Sequence, residues 1–238
     1  MSYVWFALIC TIWGSSFILM KRAMGRLSPL SIGTGRVLFG AAVLLLVLWL
    51  MQRPQAFRRK DFWPLLGIIV TGFAWPYCIQ PELIGRHGSA FIGMTVGFTP
   101  LLTLLISTVV LNTVPTARQV IGVGGALACL CVLMWDGWQR AVPVADLLLA
   151  FSVPLTYAMA NNWIRRSLMH IPPIELTFLC LFGSGVMLLP LAMMTPGPET
   201  VTASWNTAWG SIAILGVLGT GIATCLFNRL IQEEGPLF

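Results

Sequence analysis

Long apolar runs alternate along the chain with short polar breaks, at a spacing set by a hydrocarbon layer rather than by a wetted surface. A helix needs about 20 apolar residues to cross roughly 30 Å of hydrocarbon. Eight runs meet that standard: Tyr3–Met20, Leu30–Met51, Trp63–Ile84, Ser89–Leu111, Val120–Trp135, Val144–Trp163, Ile174–Met194 and Trp209–Leu230. Between them fall Ser28-Pro29, Arg53-Pro54, Asn112 to Pro115, Pro172-Pro173 and Thr195 to Thr202, residue types that end helices and make turns. None of these connections has room for a soluble domain, so the pattern predicts an all-α fold, a polytopic transmembrane bundle with eight spans.

Composition excludes the main alternative. With 57% hydrophobic and 9% charged residues, eight carboxylates and fourteen Lys or Arg cannot cover the outside of a 238-residue water-soluble fold. No basic residue precedes the first apolar run and no small-x-small pattern closes it before Lys21 and Arg22, so the first segment reads as a retained helix, not a secretory signal. Cys10, Cys78, Cys129, Cys131, Cys180 and Cys225 lie in apolar runs, where cysteine packs as a small hydrophobe. Cys129 and Cys131 are two apart and point to different helix faces, which argues against a shared metal or a disulfide.

The net charge of +6 falls in short clusters between the runs, a mark of topology and not of nucleic-acid binding. With a cytoplasmic N-terminus, the inner loops would hold eight basic residues: Arg53, Arg58, Arg59, Lys60, Arg118, Arg165, Arg166 and Arg229. The outer side would hold five, Lys21, Arg22, Arg26, Arg86 and Arg140, with Arg36 inside the second span. The bias predicts a multi-pass protein of the cell membrane with its N-terminus in the cytoplasm.

The two halves of the chain repeat. A shift of 144 places Lys21-Arg22 on Arg165-Arg166, Pro29-Leu30 on Pro173-Ile174 and Leu44-Leu45 on Leu188-Leu189. A shift of 149 places Gly67, Thr71, Gly72 and Ala74 on Gly216, Thr220, Gly221 and Ala223, and a shift of 147 places Gly88 to Phe91 on Gly235 to Phe238. Chance sharing of Leu, Gly and Ala does not explain three helices recurring in order with matching loops. A first unit of five spans, residues 1–136, makes the second, 141–238, start from the opposite side, so the repeat is an inverted one. By this alignment the second unit has only its first three helices and looks truncated, with about two further helices expected beyond Phe238.

Trp13-Gly14-Ser15-Ser16-Phe17, then Ser28-Pro29 and Arg36, resemble the opening of the EamA branch of the drug/metabolite transporter superfamily. Thr99-Pro100-Leu101, Ala145-Asp146-Leu147-Leu148 and Gly235-Pro236-Leu237 carry the same resemblance along the rest of the chain. The resemblance implies ten helices in two inverted five-helix halves, with a central substrate cavity lined by the first four helices of each half. Where the family often has Gly-Glu after its fourth helix, Asn112-Thr113 stand here, so that glutamate's role does not carry over.

Candidate substrate-binding residues are Trp13, Ser16, Arg36, Trp75, Tyr77, Glu82, Tyr157 and Asn161. Glu82 and Arg86, four apart, share a helix face; the pair reads either as an ion pair orienting the helix end or as a proton-coupling carboxylate with its partner. Arg36 either anchors its helix or meets a substrate anion. Pro76, Pro81, Pro100 and Pro154 break backbone bonding, giving packing kinks or carbonyls for a cavity. Trp13, Trp75 and Tyr77 line a pocket or anchor at an interface. Gly122, Gly125 and Ala126 are expected to pack the fifth helix on its neighbours, with a homodimer contact as the alternative. His87 and His170 read as isolated loop residues, and Asp136 and Asp146 as single acids.

The pattern therefore predicts a secondary transporter, an exporter of a small metabolite or amphipathic compound, with protons as a candidate coupling ion and no cofactor or metal. An intramembrane hydrolase is disfavoured because Phe182-Gly183-Ser184-Gly185 lacks the first glycine of Gly-x-Ser-Gly and both histidines precede it. An integral membrane enzyme, a lipid-handling protein or a non-transporting assembly subunit remain the alternatives.

Overall fold

A computed structural model describes residues 2–24, 26–52, 55–112, 114–134, 142–195 and 207–235. The expected turn at Arg53-Pro54, residues Thr113, Trp135, Asp136 and Arg140, most of the turn Thr195 to Thr202, and Pro236 to Phe238 lie outside them.

The described chain is helical, with no strand among the described residues. Eight helices follow the eight apolar runs: α1 (Ser2–Ala23), α2 (Pro29–Met51), α3 (Arg59–His87), α4 (Ser89–Val110), α5 (Ala117–Met134), α6 (Val144–Ser167), α7 (Pro173–Met194) and α8 (Ala208–Glu234). Seven are long and apolar enough to cross a membrane by length and composition; the apolar stretch of α5, Ala117–Leu133, is shorter. Helices α3, α6 and α8 extend past their apolar runs by several residues, because polar flanks such as Arg59 to Asp61 and Gln232 to Glu234 continue the same helix beyond the greasy stretch.

Local chemistry sets the ends. Ser28 caps α2, its Oγ accepting from the Ser31 amide at 3.1 Å, with Pro29 supplying the preset φ of a first helical residue. Helices α3 and α8 stop alike, at Gly88 (φ +87°) and Gly235 (φ +102°), backbone conformations that favour glycine. Each stop follows an i,i+4 ion pair, Glu82–Arg86 at 2.8 Å and Arg229–Glu233 at 2.7 Å.

Both helices also carry a π-type stretch, Ile69–Ala74 in α3 and Leu215–Ile222 in α8. These cover most of the segments that align at the shift of 149. Pro76 and Pro81 do not interrupt α3, nor does Pro154 interrupt α6; the irregularity in α3 lies just upstream of Pro76, where the missing amide loosens the preceding turns. In α4 a turn at Gly97-Phe98 separates Ser89–Val96 from Thr99–Val110, two residues ahead of Pro100.

Helix α2 holds the centre, packed against α7, α8 and α3; α3 also packs on α6 and α7, α1 on α8, and α4 on α6. Lipid offers no hydrophobic drive between apolar helices, so close van der Waals fit must hold them together. Glycines provide it. A Cβ on Gly216 would lie 2.6 Å from the Phe39 Cβ and 2.8 Å from the Arg36 carbonyl, and one on Gly40 would lie 2.9 Å from the Gly216 carbonyl. Gly33 is pressed against the Tyr77 carbonyl in the same way.

The expectation for α5 fails. A Cβ on Gly122 or Gly125 meets nothing within 4 Å, and Ala126 is exposed, so these residues do not pack the helix on its described neighbours. Contact with α4 runs through Leu130 against Gly97 instead. The outer surface is apolar, with Leu46, Trp49, Leu50, Ile121, Met193 and Met194 all more than half exposed, as a lipid-facing belt requires.

Gly216→Ala is expected to lose about 1–3 kcal/mol to overpacking, read as a lower melting temperature of the detergent-purified protein. Gly122→Ala should leave it unchanged. Equal stability of the two variants would contradict this packing.

Candidate functional site

At the centre of the bundle a guanidinium is surrounded by neutral groups. Arg36 is 4% exposed. Its Nε donates to the Thr220 Oγ1 at 3.0 Å, one Nη donates to the Met20 sulfur at 3.4 Å, and the group lies 4.2 Å from the centroid of the Tyr77 ring. Thr220 is presented by the π-type stretch of α8, where its hydroxyl donates on to the Leu215 carbonyl at 3.2 Å. One turn beyond Tyr77 on α3, Gln80 donates from Nε2 to the Tyr157 hydroxyl of α6 at 3.0 Å. Phe73 meets the Tyr77 ring edge-on at 5.9 Å.

Helix α1 closes this cluster at α8. The Trp13 Nε1 donates to the Gly219 carbonyl at 2.9 Å, and its ring meets Phe227 edge-on at 5.0 Å. Ser16 is buried, its Oγ donating to the Ile12 carbonyl at 2.8 Å, and it packs so close to Gly219 that a Cβ there would lie 2.7 Å from the Ser16 Oγ. Trp13, Ser16, Arg36, Tyr77 and Tyr157 are thus linked into one region. Asn161 lies one turn beyond Tyr157 on α6, buried, with no side-chain hydrogen bond among the described residues.

Two predicted residues fall elsewhere. Trp75 is exposed and donates to the Ser152 Oγ of α6 at 2.8 Å. Glu82 lies near the end of α3, its side chain 44% exposed and held by Arg86. Of its two readings, the ion pair at a helix end is the one this geometry matches.

The histidines and Asp146 are not isolated. Asp146, in the first turn of α6, accepts from Arg86 at 2.9 Å and pairs with His87, the last residue of α3, at 2.6 Å. At the opposite end of the bundle Asp61, in the first turn of α3, pairs at 2.9 Å with His170 of the α6–α7 turn. Sequence spacing hid both pairs, since the partners are 59 and 109 positions apart. Beside the second pair, Glu175 at the start of α7 accepts from the Ala56 and Phe57 amides at 2.9 Å, and Arg165 donates to the Gln232 carbonyl of α8 at 2.6 Å. Each end is tied across the halves by buried acids at helix N-termini, where the helix dipole favours negative charge.

A cavity of about 630 Å³ lies apart from all of this, between α2, α7 and the start of α8. Its walls include Thr34, Leu38, Leu189 and Met193, are almost wholly apolar, and contain none of the predicted site residues.

Reasoning from sequence missed Thr220, Gly219, Gln80 and Met20 as members of the central cluster. Thr220 left a signal, since it aligned with Thr71 in the internal repeat.

The chain matches the pattern of the EamA-like transporter family twice, over residues 1–135 and 145–237. It is 24% identical over 230 residues, 93% of this chain and 74% of the relative, to the uncharacterized transporter YyaM of Bacillus subtilis (strain 168). It is 24% identical over 235 residues, 95% of this chain and 76% of the relative, to the uncharacterized transporter YwfM of the same organism. An S-adenosylmethionine/S-adenosylhomocysteine transporter of Chlamydia muridarum is 32% identical over 152 residues, 58% of this chain and 46% of that protein.

Because the Tyr77 hydroxyl makes no hydrogen bond among the described residues while its ring carries the guanidinium, Tyr77→Phe should change stability by less than about 0.5 kcal/mol. Tyr77→Leu should lose about 1–2 kcal/mol of cation–π attraction and packing. Thermal unfolding in detergent measures both, and equal effects would refute the ring's role.

Proposed function

The chain belongs to the EamA-like transporter family and is a multi-pass membrane transporter, and from that premise we propose that it works by alternating access about the Arg36–Tyr77–Thr220 cluster. Family and relatives alike point away from an enzyme.

The observation that carries the mechanism is the pairing of helices. Among these six helices, exchanging α1, α2 and α3 for α6, α7 and α8 preserves the major packings: α2 on α8 becomes α7 on α3, α1 on α8 becomes α6 on α3, α2 on α3 becomes α7 on α8, and α2 on α7 is unchanged. A twofold axis relating the halves makes such an exchange. Units of three and five crossings start from opposite faces, so residues 1–136 and 141–238 form inverted repeats, and rocking one against the other exposes a shared site to each side in turn.

The Asp–His pairs close the two faces. His87–Asp146 joins the first half to the second at one end of the bundle, and Asp61–His170 joins them at the other. Alternating access requires each to part while the other holds. The described basic residues, seven on the face of the N-terminus (Arg58, Arg59, Lys60, Arg118, Arg165, Arg166 and Arg229) against Lys21, Arg22, Arg26 and Arg86 on the other, favour a cell-membrane protein with a cytoplasmic N-terminus. Trp13, Ser16, Arg36, Tyr77, Tyr157 and Asn161 line the substrate path. Trp75 and Glu82 act at its edge, Glu82 as part of the closure and not as a proton carrier. The cargo is a small metabolite, moved outward; the substrates named for the chlamydial relatives are of that size class.

With the six native cysteines replaced, disulfide bridging of the His87→Cys/Asp146→Cys pair, or of the Asp61→Cys/His170→Cys pair, should each stop uptake of labelled metabolites by inverted vesicles. Reduction should restore it. Unimpaired uptake with both faces bridged would rule out access through these ends.

A further inference from the structure

A cation within a transmembrane bundle is expensive unless something neutralises it. Arg36 lies about two turns inside α2, deeper than any other Lys, Arg, Asp or Glu among the described residues. Of its five N–H donors, two are used, on the Thr220 hydroxyl and the Met20 sulfur, which leaves three without a described partner. No described carboxylate comes within 4.0 Å of it.

Nor is a buried carboxylate left over among the described residues. Asp61 is taken by His170 and the Arg58 amide, Asp146 by Arg86 and His87, and Glu175 by the amides of Ala56 and Phe57, all at the ends of the bundle. The described acids that remain, Glu82, Glu233 and Glu234, also lie at helix ends. Among the described residues, the interior of the bundle therefore has a fixed positive charge with no counter-ion.

Resting on the reading of this cluster as the transport site, we infer that Arg36 binds the anionic group of the substrate, a carboxylate, phosphate or sulfonate. The guanidinium fork matches two oxygens of such a group side by side. Tyr77 backs the guanidinium, and Gln80 and Tyr157 add neutral hydrogen-bonding groups nearby, so the remainder of the molecule is uncharged or carries its own compensating charge. The π-type backbone that presents Thr220 gives the anion a way in, because a shift there frees the Nε donor for the ligand. The same oxyanion chemistry belongs to lipid headgroups, and reconstitution separates the two sources.

The test is proteoliposomes of phosphatidylcholine alone, containing the full chain, incubated with an equimolar mixture of organic acids, sugar phosphates, amino acids, neutral nucleosides and polyamines. Accumulated compounds are identified by mass spectrometry. The inference expects the retained compounds to carry a carboxylate, phosphate or sulfonate, with accumulation reduced about tenfold or more in Arg36→Gln and partly kept in Arg36→Lys. If no soluble compound accumulates but phosphatidylglycerol raises the melting temperature of the wild type and not of Arg36→Gln, the anion is a lipid headgroup. Selective accumulation of neutral nucleosides or polyamines overturns the inference and leaves the transporter reading intact, and the wild type alone is enough to show it. Neither accumulation nor lipid stabilisation overturns both.

Discussion

Close contact between the backbones of α2 and α8 is the constraint on which the rest of the structure depends. Lipid gives two apolar helices no reason to associate beyond fit, so their affinity comes from how near they can approach. Gly40, Gly216 and Gly221 remove the side chains that would hold the helices apart. That approach brings Arg36 within reach of Thr220, and the same glycine-rich stretch of α8 adopts the π-type geometry that turns the Thr220 hydroxyl toward it. A bulkier residue at any of these positions would separate the helices and the polar contact together.

Polar chemistry is divided between the centre and the ends. The buried acids Asp61, Asp146 and Glu175 gather at helix N-termini, where the dipole favours negative charge, and at each end an Asp–His pair joins the two halves of the chain. Among the described residues, the centre holds one cation, aromatic rings and neutral donors. On the proposed mechanism the end pairs serve as closures that can break, and the centre as a site that cargo completes.

The number, order and type of the helices were legible in the pattern of apolar runs, because a hydrocarbon layer sets both length and composition. So was the correspondence of Gly67 to Ala74 with Gly216 to Ala223, which lands on the two π-type stretches. Arg36 and Tyr77 stood out as a charge and a phenol inside spans, and they meet. What brings them together did not stand out: Thr220 and Gln80 are ordinary polar residues until helices 77 to 184 positions away are packed against them. The Asp–His pairs escaped for the same reason, since spacing along a helix reports only neighbours three or four residues apart. The stripe of Gly122 and Gly125 misled, because small residues permit close packing without compelling it.

The proposed alternating access requires the two halves to run in opposite senses, and labelling from one side of the membrane tests it. Gly85 and Glu233 lie exposed near the ends of α3 and α8, the third and eighth helices. In a cysteine-free background, Gly85→Cys should react with an impermeant maleimide added to intact cells, and Glu233→Cys only in inside-out vesicles. Reaction of both from the same side would contradict the inverted arrangement and the alternating-access mechanism built on it.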